Sequence, residues 1–110
     1  MARILDSDPW NWTVNDVAYW FQHEATDTIA RQFPHPELPD LPLLLQKLVE
    51  NDVDGATLLI SLTDFSTIGL RFGIQSMGQQ AKISRCVSML RIRSRGYNQM
   101  NDEPAGWETP

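Results

Sequence analysis

Two stretches of this chain repeat apolar residues at helical spacing, and that spacing excludes most architectures. Val14, Val17, Ala18 and Phe21 recur at i, i+3, i+4 and i+7, and Ile83, Cys86, Val87 and Leu90 do the same. Each set lines one face of an α-helix. No segment alternates apolar and polar residues as a half-buried strand does. The expected fold class is therefore all-α. At 110 residues, 42% of them apolar, the chain has material for one core and too little for two.

Punctuation residues divide the chain. Residues 1–9 read as an N-terminal arm broken at Asp8-Pro9, and residues 10–94 as the domain. Trp10 and Trp12 are too apolar to be left wet, so at least one is expected to pack on the domain. Thr13-Val14-Asn15-Asp16 has the spacing of a helix cap with an acidic third position, opening a helix that ends near Glu24. An insertion over about 25–42 follows. It begins with a short helical turn and continues through Pro34, Pro36, Pro39 and Pro42. No helix or inner strand survives that spacing, so the segment is expected to face solvent without regular structure. Phe33, Leu38 and Leu41 are expected to tuck against the domain, and Pro42 suits the first turn of the next helix.

Three helices come next: Leu43 to Asn51, Ala56 to Ile60, and Asp64 to Leu70 capped by Thr63, with Phe65 and Ile68 inward. Ser76-Met77-Gly78-Gln79 has the spacing of a second capping box and opens the longest helix, about Met77 to Arg93. The expected core holds Val17, Phe21, Leu48, Leu58, Leu59, Leu62, Ile74, Ile83, Val87 and Leu90. Residues 95–110 lack any period and read as a flexible tail or linker, in which Trp107 is a candidate docking residue.

Composition narrows the function classes. There is one cysteine, Cys86, so no internal disulfide forms, and an intracellular, reducing compartment is expected. No run of 18 apolar residues is present, and the N-terminus lacks the apolar stretch of a secretory signal. The sequence contains no Gly-rich phosphate loop, no metal-spaced Cys/His set and no nucleophile elbow. Cys86 lies on an apolar helical stripe and reads as a small hydrophobe. The chain is therefore not expected to be an enzyme, and no cofactor is expected. The formal charge of −5 is unevenly spread. Residues 1–70 carry 3 basic and 11 acidic side chains, whereas residues 71–110 carry 6 basic and 3 acidic. Such asymmetry bears on partners rather than on fold.

Three groups of residues, in order, resemble the sterile alpha motif (SAM) family. Trp12-Thr13-Val14-Asn15-Asp16-Val17 with Trp20-Phe21 resembles the family's opening. Asn51-Asp52-Val53-Asp54-Gly55, Leu58-Leu59 and Leu62-Thr63-Asp64-Phe65 resemble its centre. Phe72-Gly73-Ile74, Gly78 and Lys82-Ile83 resemble the start of its last helix. The likeness covers about residues 10–93 and implies a small five-helix bundle with a long C-terminal helix. The sequence departs from the family pattern at the longer, proline-rich first connection, in a fourth helix longer by about one turn, and at Gln80, where the family often has a basic residue. Within the motifs, Gly55 is expected where a Cβ would be crowded or φ positive, and Gly73 and Gly78 where the last helix starts close to neighbouring backbone.

The resemblance implies a protein–protein association module. Such domains join one another head to tail, as like copies or as pairs with the SAM domain of another protein, in signalling and scaffolding proteins. An acidic surface meets one around the start of the last helix. The acidic candidates are Glu50, Asp52, Asp54 and Asp64. The opposing candidates are Met77, Gln79, Gln80, Lys82 and Arg85. RNA-hairpin binding is the alternative, through Lys82, Arg85, Arg91, Arg93 and Arg95 along the last helix.

Overall fold

Thr13 fixes where the first helix begins. Its hydroxyl accepts from the Asp16 amide at 3.1 Å, and the Asp16 carboxylate accepts from the Thr13 amide at 2.9 Å, a closed capping box. In the computed structural model, which describes residues 7–102, the same logic recurs along the chain. A 3-10 turn, Pro9–Asn11, leads into α1 (Val14–His23) and α2 (Ala25–Ala30). After the proline segment come α3 (Leu41–Glu50), α4 (Gly55–Ser61), α5 (Phe65–Phe72), α6 (Met77–Arg93) and α7 (Arg95–Asp102). There is no strand among the described residues. The expected all-α class holds, with seven helices described where five were expected.

The caps explain most boundaries. Asp54 and Asp64 stand before α4 and α5 and accept from the Thr57 and Ser66 amides. Asp64, not Thr63, is thus the cap of α5. That places Phe65 in the first turn and leaves it partly exposed rather than inward. Gly73 ends α5 in the left-handed conformation, φ 71°, which glycine adopts without steric cost. The expected close approach of backbone is absent at Gly73, where a Cβ would meet only the Leu43 side chain at 3.7 Å, and Gly78 departs from expectation altogether. The nearest atom to a Cβ there would be Ser76 Oγ at 3.7 Å, so no close approach requires glycine.

The ten expected core residues are all buried, joined by Trp12, Trp20, Ile29, Leu44, Ile68 and Phe72. Trp12 is the expected N-terminal lid. Trp10 is half-buried against the same core, as are Phe33, Leu38 and Leu41. α4 is central, packing against the N-terminal turn, α1, α6 and α7. Arg91 reaches from α6 to the open carbonyls at the end of α4, donating to Leu59 O at 2.7 Å and Ile60 O at 3.3 Å.

The proline segment, residues 31–40, has neither helix nor strand, and every residue in it is half-buried or exposed. Pro42 falls inside the first turn of α3, which begins two residues earlier than expected. Residues 95–102 correct the reading of a tail. They form α7, and Asp8 holds it. One carboxylate oxygen accepts from Ser94 Oγ at 2.7 Å and the other from the Gly96 amide at 2.8 Å. Ser94, fully buried, accepts from the Tyr97 amide. Trp107 lies outside the described residues.

Burial pushes the Asp8 carboxyl up. The hydrogen bonds from Ser94, the Trp10 amide and the Gly96 amide, with the nearby charge of Arg95, outweigh it and hold the group below its ordinary 3.8. The folded value being the lower, the stabilisation is complete above the unfolded value and disappears as pH falls through the folded one. Asp8→Ala should therefore cost about 1–3 kcal/mol at neutral pH, because it strands a buried hydroxyl. It should also speed amide exchange selectively in α7. The difference between wild type and variant should shrink below pH 3.8. Unchanged exchange in α7 would show that Asp8 does not dock it.

Candidate interaction surfaces

Glu50, Asp52 and Asp54 follow one another through the end of α3 and the turn into α4, and all three are exposed. Each carboxylate is placed differently. Glu50 accepts from Gln46 at 2.8 Å and from Lys47 at 3.1 Å. These two hydrogen bonds, with the Lys47 charge, hold it below the ordinary carboxylate value. Asp54 is occupied by its cap. Asp52 adopts φ 54°, a left-handed turn position that aspartate tolerates. Its carboxylate accepts no hydrogen bond among the described residues. Val49, 60% exposed, adds an apolar group one residue before Glu50. Asp64 belongs to the next connection. It is exposed and bonded to Ser66 and Thr67.

The other candidates all lie on the first half of α6, but helical geometry points them in different directions. Met77 begins the helix and is 75% exposed. Leu70, near the end of α5, is 85% exposed and flanks the same connection. Gln79 and Gln80 are buried, which corrects their assignment as contact residues. Gln80 donates to Ile74 O at 2.8 Å and closes the bend between α5 and α6. Gln79 accepts from the Asp40 amide at 2.8 Å and donates to the Asp40 carboxylate at 2.9 Å. Ser76 does accept from the Gln79 amide, but with the Gln79 side chain turned to Asp40 the expected capping box is only half formed. A buried amide with satisfied partners is not available to another molecule.

Lys82 and Arg85 lie on the same side of α6 as Gln79, three residues apart in turn. Lys82 Nζ donates to Glu37 O at 3.0 Å, and Arg85 Nε to the Gln32 side chain. The basic strip imagined for RNA is thereby divided. Lys82 and Arg85 face the proline segment. Arg91 holds the end of α4 and lies 4.7 Å from the Tyr97 ring centre, and Arg93 lies over Trp12.

The acidic end of α3 is well separated from the α6 candidates, whereas Asp64 lies next to Thr63, whose carbonyl accepts from Ser84 of α6 at 2.9 Å. Asp40, just before α3, is bonded to α6, whereas Glu50 ends α3 ten residues later. At the rise of an α-helix that is about 15 Å. Sequence reasoning missed Leu70 and Val49, which lie outside the charged motifs. It also missed the polar bonds from the proline segment to Gln79, Lys82 and Arg85.

Cys86 is buried, and burial pushes its thiol far above the ordinary value of 9.0, away from the reactive thiolate. Among the described residues no group of three or more His, Cys, Asp or Glu is placed to hold a metal ion. Nor is any helix there long and apolar enough to cross a membrane. The fold and surfaces define a small all-helical domain with two unlike polar faces. No protein-family model, curated protein or solved structure matches the chain.

Proposed function

We propose that this chain is a SAM-like association module that joins copies of itself, or a related helical domain, head to tail. The acidic end of α3 in one molecule meets the start of α6 in the next. The observation that carries the reading is the pairing of opposite charge with exposed apolar groups at two separated places. Val49 stands beside Glu50 and the uncommitted Asp52, and Met77 and Lys82 both lie in the first half of α6. Charges would steer and register the encounter, while desolvation of the apolar centre supplies affinity. Two unlike faces form a heterologous contact, which builds open chains or pairs with a related domain rather than a closed two-fold dimer. The order of the motif residues from Trp12 to Ile83 supports the SAM-like assignment. The single cysteine suits work inside the cell, in a signalling or scaffolding protein.

Sedimentation velocity across protein concentration tests the reading. The average mass should rise with concentration at low ionic strength. The rise should shrink in about 1 M salt, where charges are screened beyond about 3 Å. A mass fixed at one chain up to about 1 mM, the weak end of specific binding, would rule out self-association.

A further inference from the structure

The proline segment lies on the cations that the proposed contact needs. Of the polar side chains on that side of α6, Gln79 is bound twice by Asp40, Lys82 is capped by the Glu37 carbonyl, and Arg85 is capped by Gln32. The segment also brings two carboxylates, Glu37 and Asp40, to a face that would otherwise receive Glu50 and Asp52 of a neighbour. Yet it is held lightly along its middle. It has no regular structure, its bonds to Lys82 and Arg85 are solvent-exposed, and Phe33, Leu38 and Leu41 are only partly buried. Exposed bonds of this kind are the weakest to hold and the easiest to exchange for equivalent ones.

We propose that residues 34–39 form a displaceable strap that competes with a second copy's acidic face for Lys82, and so weakens association until it is moved aside. This rests on the head-to-tail reading above. The strap imitates the partner. It places the Glu37 backbone oxygen where a partner's carboxylate would accept the same hydrogen bond from Lys82. The anchors on either side, Phe33 and the Asp40–Gln79 pair, stay in place while the middle lifts. Association is then limited by the fraction of molecules whose strap is open. A face open a tenth of the time binds about tenfold more weakly than one always open.

The test uses the full chain with residues 34–39 replaced by an equal length of glycine and serine, its helicity checked by circular dichroism. Self-association at low salt should tighten by about tenfold. Adding Lys82→Glu to that variant should abolish the gain. Leu38→Ser removes an apolar anchor but keeps both Asp40–Gln79 bonds, so it should shift the dissociation constant in the same direction. Wild type and strap variants associating equally, or the variants more weakly, would overturn the strap and leave the head-to-tail reading intact. Wild type and folded variants both staying as single chains would overturn both.

Discussion

Leu59→Ala should lower the free energy of unfolding by about 2–5 kcal/mol, the usual cost of removing a fully buried leucine side chain. The upper half of that range is expected. Leu59 is completely buried in α4, which packs against the N-terminal turn, α1, α6 and α7. Its carbonyl is also fixed by Arg91. With neighbours on so many sides tied to other elements, the void cannot collapse without moving several helices, and the cavity contribution stays large. Urea unfolding followed by circular dichroism measures the loss. A loss under about 1 kcal/mol, within the range of repacked or volume-conserving changes, would mean that this centre is looser than its burial implies.

Gly55→Ala should be nearly as damaging, by a different route. The added Cβ would fall on the Pro9 carbonyl and 2.9 Å from the Trp12 amide nitrogen. The obstruction is backbone, so no rotamer change relieves it. Gly55 also donates to Trp12 O at 2.9 Å, and Trp12 to Pro9 O at 3.1 Å, so the whole N-terminal turn is fastened here. The chain must lift that turn, and buried Trp12 with it, to admit one methyl group. The expected cost is about 1–3 kcal/mol, as for overpacking elsewhere, together with a red shift of tryptophan fluorescence. Gly78→Ala is the matched control. It sits in a helix where a Cβ would meet nothing nearer than Ser76 Oγ at 3.7 Å, so the same substitution there should gain about 0.5–1 kcal/mol. Equal effects at the two positions would remove the steric account of Gly55.

Local chemistry was legible in the sequence. Thr13 and Asp16 cap one another because four adjacent residues suffice to specify that bond. The inward stripe from Ile83 to Leu90 follows from helical period alone. Gly55 was expected in a crowded or positive-φ place, and crowding proved to be the reason. What stayed hidden depends on residues far apart in the chain. Gln79 has the spacing of a capping box with Ser76, but its side chain bonds Asp40, 39 residues away. Its burial therefore could not be read from its neighbours. Residues 95–102 are poor in strong helix formers and read as a tail. The helix forms where Asp8, over 80 residues earlier, holds its first turn, so docking wins over propensity. The prolines announced an irregular segment, but not that it would lie across Lys82 and Arg85. Of the nine proposed contact residues, Gln79 and Gln80 are lost to the interior, Gln79 to distant Asp40 and Gln80 to the Ile74 carbonyl six residues before it.

Two single substitutions, mixed, test the central claim most directly. Lys82→Glu disables the α6 face and keeps the acidic end of α3, whereas Asp52→Lys does the reverse. Asp52 is exposed and Lys82 half-buried with its ammonium at the surface, and neither belongs to the apolar core. Each variant alone should sediment as a single chain at concentrations where the wild type associates. Mixed in equal amounts at low salt, they retain one complementary pair of faces, and should form a one-to-one pair with no larger species. Association of each variant alone, as strong as that of the wild type, would contradict the head-to-tail account and leave the charge segregation as ordinary solvation of two surfaces.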